Sequence, residues 1–68
     1  MKSEETFGAN AGKVWQTLKG RGTLSAKKIA ELTHLKLNDV YAALGWLGRE
    51  GKIQVISNKQ GIVFKLTE

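Results

Sequence analysis

Apolar residues recur at helical spacing in three stretches of the chain and at strand spacing in two more. Ala11, Val14, Trp15 and Leu18 stand at i, i+3, i+4 and i+7, a spacing that stacks side chains on one helical face and predicts a helix over about 10–19. Asn10 can cap its start, and Gly20 or Gly22 can end it in a left-handed turn. Thr23-Leu24 then reads as a short strand. Ser25 offers a hydroxyl to the free N–H groups of a second helix over about 25–33, with Ala26, Ile29, Ala30 and Leu32 on its buried side and Lys27, Lys28 and Glu31 in water. Thr33-His34-Leu35-Lys36 forms a brief turn. Leu37 precedes Asn38-Asp39, a cap-like pair opening a third helix over about 38–50, and can staple onto Tyr41.

On that third helix Val40, Leu44 and Leu47 cluster on one side, flanked by Tyr41 and Gly48, while Asn38, Ala42, Gly45, Trp46 and Arg49 fall opposite. Gly51 ends the helix where a positive φ is needed. The period then changes. Segments 52–56 and 62–66 are rich in β-branched residues, and Ile53, Val55, Ile62, Phe64 and Leu66 alternate as one buried face across the polar loop 57–61. The order is helix, short strand, helix, helix, strand, strand, an α+β chain with residues 1–8 as a flexible N-terminal segment and 9–68 as one domain. Phe7 is the residue of that segment expected to dock on the core.

Composition narrows the function classes. A chain of 68 residues supports one small core, and with no Cys and a single His it has neither disulfides nor a zinc site to reinforce it. No apolar run is long enough for a membrane span or a signal peptide, so the chain reads as soluble and cytoplasmic. Glu4, Glu5, Glu31, Asp39, Glu50 and Glu68 are scattered, with no acid/base pair beside a nucleophile, and Lys19-Gly20-Arg21-Gly22 lacks the strand and the Gly-Lys-Ser/Thr ending of a phosphate loop. No enzyme, cofactor or small-molecule substrate is expected. Eleven Lys and Arg against six Asp and Glu give a net charge of +5, which favours a polyanionic partner, nucleic acid before membrane.

The element order, the run Leu24-Ser25-Ala26-Lys27-Lys28-Ile29-Ala30, and the spacing Val40…Leu44…Leu47…Gly51…Ile53 ahead of a hairpin resemble a winged helix-turn-helix. Asn10-Ala11-Gly12-Lys13-Val14-Trp15 with Ala43-Leu44-Gly45-Trp46-Leu47 is similar to small stand-alone winged-helix proteins of unassigned function. The resemblance implies binding of double-stranded DNA, with the third helix in the major groove, the second across the backbone and the wing along an adjacent phosphate track or minor groove. It puts the six cations Lys27, Lys28, Lys36, Arg49, Lys52 and Lys59 on phosphates along one face, with Asn38 and Arg49 at either end of the groove-facing side. His34 reads as a solvated turn residue.

That side departs from the usual reader. Ala42 and Gly45 are too short to reach a base edge, and Asp39 repels phosphate unless it takes a cytosine amine. Gly45 and Gly48 each cost a helix about 1 kcal/mol relative to Ala and are expected where another backbone comes close. Trp46 has two readings: folded under the N-terminal segment near Phe7 or over the wing, or exposed beside Ala42 and Gly45 as the contact for a homodimer or a protein partner. DNA binding through phosphates is the first expectation, and a protein-interaction face at Ala42, Gly45 and Trp46 the alternative.

Overall fold

The computed structural model describes the backbone of residues 3–67 and the side chains of residues 8–67. Helices α1 (Ser3–Arg21), α2 (Ala26–Thr33) and α3 (Leu37–Arg49) precede an antiparallel hairpin of β1 (Ile53–Asn58) and β2 (Gly61–Leu66). Leu24 bridges β2, donating its N–H to the Phe64 carbonyl (3.0 Å) and accepting from the Phe64 N–H (2.7 Å), so the strand expected at 23–24 is a single bridging residue.

All three helices contribute to one core. Val14, Leu18, Ile29 and Val40 are fully buried, and Ala11, Ala26, Ala43, Leu44, Leu47, Ile53 and Phe64 close around them. Trp15, Leu24, Ala30, Leu35 and Leu66 pack against this cluster half-buried. The expected stripes are therefore the inward ones, with Ala43 added to the third helix and Leu32, expected on the buried side of the second, only half-buried and outside the cluster.

Several boundaries differ from the sequence reading for identifiable reasons. Helix α1 starts at Ser3 rather than at 10, and Asn10 is an interior position instead of a cap. Apolar periodicity reports contact with a core, whereas the turns ahead of Ala11 are held by helical backbone hydrogen bonds, which leave no mark on the hydrophobic pattern. The expected docking of Phe7 lies outside the described side chains. At the other end Gly22, at φ +90°, stops the helix, its N–H donating to the Leu18 carbonyl (2.7 Å).

The turn between α2 and α3 is tighter than expected. Ser25 caps α2, its Oγ accepting from the Lys28 N–H (3.1 Å), and the helix ends at His34, a left-handed residue at φ 61°. Thr33 Oγ1 donates to the Ile29 carbonyl (2.7 Å) and accepts from the Leu35 N–H (3.3 Å), which steers Leu35 back onto the core. Helix α3 consequently opens one residue early, with Lys36 at the N-cap position, and Asn38-Asp39 is not the cap. Leu37 becomes the first helical residue and stays 43% exposed beside Tyr41, 54% exposed, so the expected apolar staple does not bury either side chain.

Gly51 reverses the chain into the wing. At φ 72° it donates its N–H to the Gly48 carbonyl (3.0 Å) while the Lys52 N–H reaches the Leu47 carbonyl (2.9 Å), the paired bonds of a Schellman turn. Each strand of the wing has six residues, and only Lys59-Gln60 separates the final pair Asn58–Gly61, with Asn58 Oδ1 accepting from the Gln60 N–H (2.8 Å). Of the face expected to be buried, Ile53 and Phe64 reach the core and Leu66 is half-buried, whereas Val55 is 62% and Ile62 55% exposed. The strands run on past the helices, so the distal half of that face has no core to cover it.

Among the described residues the close approach expected at Gly45 and Gly48 is absent: a Cβ built at either position meets nothing within 4 Å. Gly45→Ala and Gly48→Ala should therefore each raise unfolding free energy by up to about 1 kcal/mol, read from denaturant midpoints at unchanged m-value. His34→Gly, which removes a Cβ from the left-handed region, should raise it by roughly 0.5–1 kcal/mol, or several degrees in Tm, while His34→Val lowers it. A loss of stability in His34→Gly would mean that the imidazole makes a contact the fold depends on.

Candidate nucleic-acid interface

With Val40, Ala43, Leu44 and Leu47 turned inward, Asn38, Ala42, Gly45 and Arg49 are all exposed along the opposite side of α3, spaced so that each meets the next one turn away. Asn38 lies in the first turn, Arg49 in the last, and the two short residues leave the middle smooth. Lys36 flanks the start of this ridge at the N-cap position.

Lys27 and Lys28 project from the first turn of α2, where the Ser25 cap leaves other N–H groups free toward solvent. They are not equivalent. Lys28 Nζ lies 3.7 Å from Glu31 Oε1, an exposed i,i+3 pair of small energetic weight that nonetheless places a carboxylate beside that cation. Lys27 instead lines a cleft of about 420 Å³ between the helix-turn-helix and the wing, together with Ser25, Tyr41, Ile62 and Phe64. Lys59 occupies the two-residue loop at the wing tip.

Lys52 stands apart from the others. The reversal at Gly51 turns it toward α1, where it lines one groove with Trp15, Trp46 and Glu50 and a second hollow with Trp15, Gly51 and Thr67. Lys19 and Lys65 likewise border a hollow beside Thr23, and Lys19 Nζ sits 4.9 Å above the Trp15 ring. Basic charge therefore divides between the α2–α3–wing side and the α1 side, and the seven expected contacts do not form one patch.

The residues of the alternative face also separate. Ala42 and Gly45 lie on the exposed ridge, whereas Trp46, 36% exposed, lines the α1 groove of about 300 Å³ with Gly8, Ala11 and Gly12. Sequence reasoning missed the cleft. Tyr41 reads as a flank of the core stripe and Ile62 as core, and the only signal that could have singled them out is a count of strand residues beyond the last one opposite a helix. Among the described residues, no three His, Cys, Asp or Glu side chains gather where they could hold a metal ion, and no helix is long and apolar enough to cross a membrane.

Comparison with known proteins agrees with this architecture. The solution NMR structure of protein BT2368 from Bacteroides thetaiotaomicron superposes with a TM-score of 0.87 at 32% sequence identity, over 93% of this chain and 77% of that one. No curated protein matches the chain. The family described as "Winged helix-turn-helix domain (DUF2582)" matches residues 1–66. By this match, spanning all three helices and the wing, the chain belongs to the DUF2582 family of winged helix-turn-helix domains.

Proposed function

We propose that this winged helix binds double-stranded DNA, mainly through phosphates, as a cytoplasmic, non-catalytic, transcription-related protein. The observation that carries the reading is the exposed ridge of α3 bracketed by cations on three separate elements: Lys27 at the start of α2, Lys36 and Arg49 at the ends of α3, and Lys59 at the wing tip. Those are the elements with which winged helices straddle a groove and its flanking phosphates. Lys28 contributes less because Glu31 sits beside it, and Lys52 faces α1.

Sequence discrimination on this ridge is narrow. Asn38 can pair with adenine and Arg49 with guanine, while Ala42 offers only a methyl group and Gly45 nothing. Binding is therefore dominated by charge, in the micromolar range expected of largely non-specific contacts at moderate salt. A second reading, contact with a protein or a second copy, is favoured by one observation: Trp46 keeps a third of its surface exposed in the α1 groove.

Titration of the labelled protein with a mixed-sequence duplex at low salt tests both. Amide shifts should centre on Lys27, Lys36, Asn38, Arg49 and Lys59, and log K should fall with log salt at a slope of about −3 to −4, as four phosphate contacts require. Lys27→Ala should flatten the slope by about one, while Lys52→Ala changes little. Absence of shifts on these residues overturns the DNA reading, and shifts confined to Trp46 and α1 as protein concentration rises favour the second.

A further inference from the structure

The cleft between the wing and α2–α3 has a chemistry that an intact duplex does not use. Its lining is predominantly apolar: Tyr41 is 54% and Ile62 55% exposed, and the mostly buried Phe64 also borders it. Val55, 62% exposed, lies on the same face of the wing, opposite Phe64 in the strand register, and Leu37, 43% exposed, stands one turn before Tyr41 on α3. Among the described residues the one charged side chain in the lining is a cation, Lys27. Exposed apolar residues are ordinary when scattered, but these gather on one side of a small domain, at the end of the proposed DNA-contacting ridge.

A fitting occupant combines a flat apolar face with negative charge. Paired DNA turns phosphates, sugars and base edges outward, with thymine methyl groups its main apolar contacts in the groove, and hides the faces of its bases in the stack, so it offers no flat apolar partner for the Tyr41 ring. A second copy of this chain carries the same net charge of +5 and would bring like charge toward Lys27. An unstacked nucleotide meets both requirements, its base against the phenol ring and its phosphate on the ammonium group. Base–aromatic stacking of this kind tolerates any base, which suits a ridge with few reading side chains.

Resting on the nucleic-acid reading above, we propose that the cleft lined by Tyr41, Ile62 and Lys27 takes an unstacked nucleotide, so that the protein prefers DNA carrying an unpaired base over fully paired duplex. A paired base must be extruded at the expense of its stacking before it can enter, and a bulged or single-stranded base need not.

Fluorescence anisotropy with three probes tests the inference: a mixed-sequence duplex, the same duplex with one unpaired thymine, and the isolated strand. The bulged duplex should bind about tenfold more tightly than the paired one, the factor expected of a single stacked base. Tyr41→Ala and Ile62→Ser should each erase most of that difference and leave paired-duplex affinity within about twofold, whereas Tyr41→Phe keeps it, with far-UV circular dichroism showing each variant folded. Equal affinity for paired and bulged probes, or a preference that survives Tyr41→Ala, overturns the inference while the duplex reading stands. No binding to any probe overturns both. Self-association of the free protein that Tyr41→Ala abolishes assigns the cleft to a second copy and likewise overturns the proposal.

Discussion

The seating of α3 on α1 decides everything that follows it in the chain. Val40, Ala43, Leu44 and Leu47 are at most 4% exposed, against Val14 and Leu18 at 1% or less. At this size one core must hold three helices and a hairpin, and a single core of a chain this short contributes only about 3–5 kcal/mol of net stability. Rotating α3 to bury another side would put Asn38 and Arg49 into a space with no buried polar partner, at a cost exceeding that margin. The orientation of the ridge is thus fixed by packing, independently of any ligand.

Much of this was legible in the sequence, because helical spacing is a statement about one side of a helix and that side is the buried one here. Val40, Leu44 and Leu47, the Ser25 cap and the Gly51 reversal all read correctly, since each is local chemistry. Ala43 is not legible in the same way, because a methyl group carries little hydrophobic signal, although it is fully buried. The early turns of α1 carry no apolar period in the sequence, and Gly8 and Ala9, the first with described side chains, are exposed. The strands were read for face but not for depth: alternation shows which way Val55 and Ile62 point and says nothing about how far the helices extend beneath them.

The candidate site divides along the same line. Which elements carry Lys27, Lys36, Arg49 and Lys59 follows from their place in the sequence. Which cations stand together does not, because the turn at Gly51 sends Lys52 to the α1 side, and that depends on the handedness of one backbone reversal. Trp46 is parted from Ala42 and Gly45 in a similar way, by the groove that α1 forms alongside α3. No described residue packs against Gly45 or Gly48, so by helix propensity the two glycines leave a stability deficit on the exposed side of α3.

The reversal between α3 and β1 is clasped from both directions. Besides the two helix-terminal bonds, Thr67 donates its N–H to the Lys52 carbonyl (3.0 Å) and its Oγ1 to the Gly51 carbonyl (3.0 Å), tying the far end of the hairpin to the same turn. Helix and wing are consequently set at one angle before anything arrives between them. A ligand straddling the pair meets an angle already set, and whatever bending or local opening the fit demands has to come from the ligand, while the protein loses little freedom on binding it.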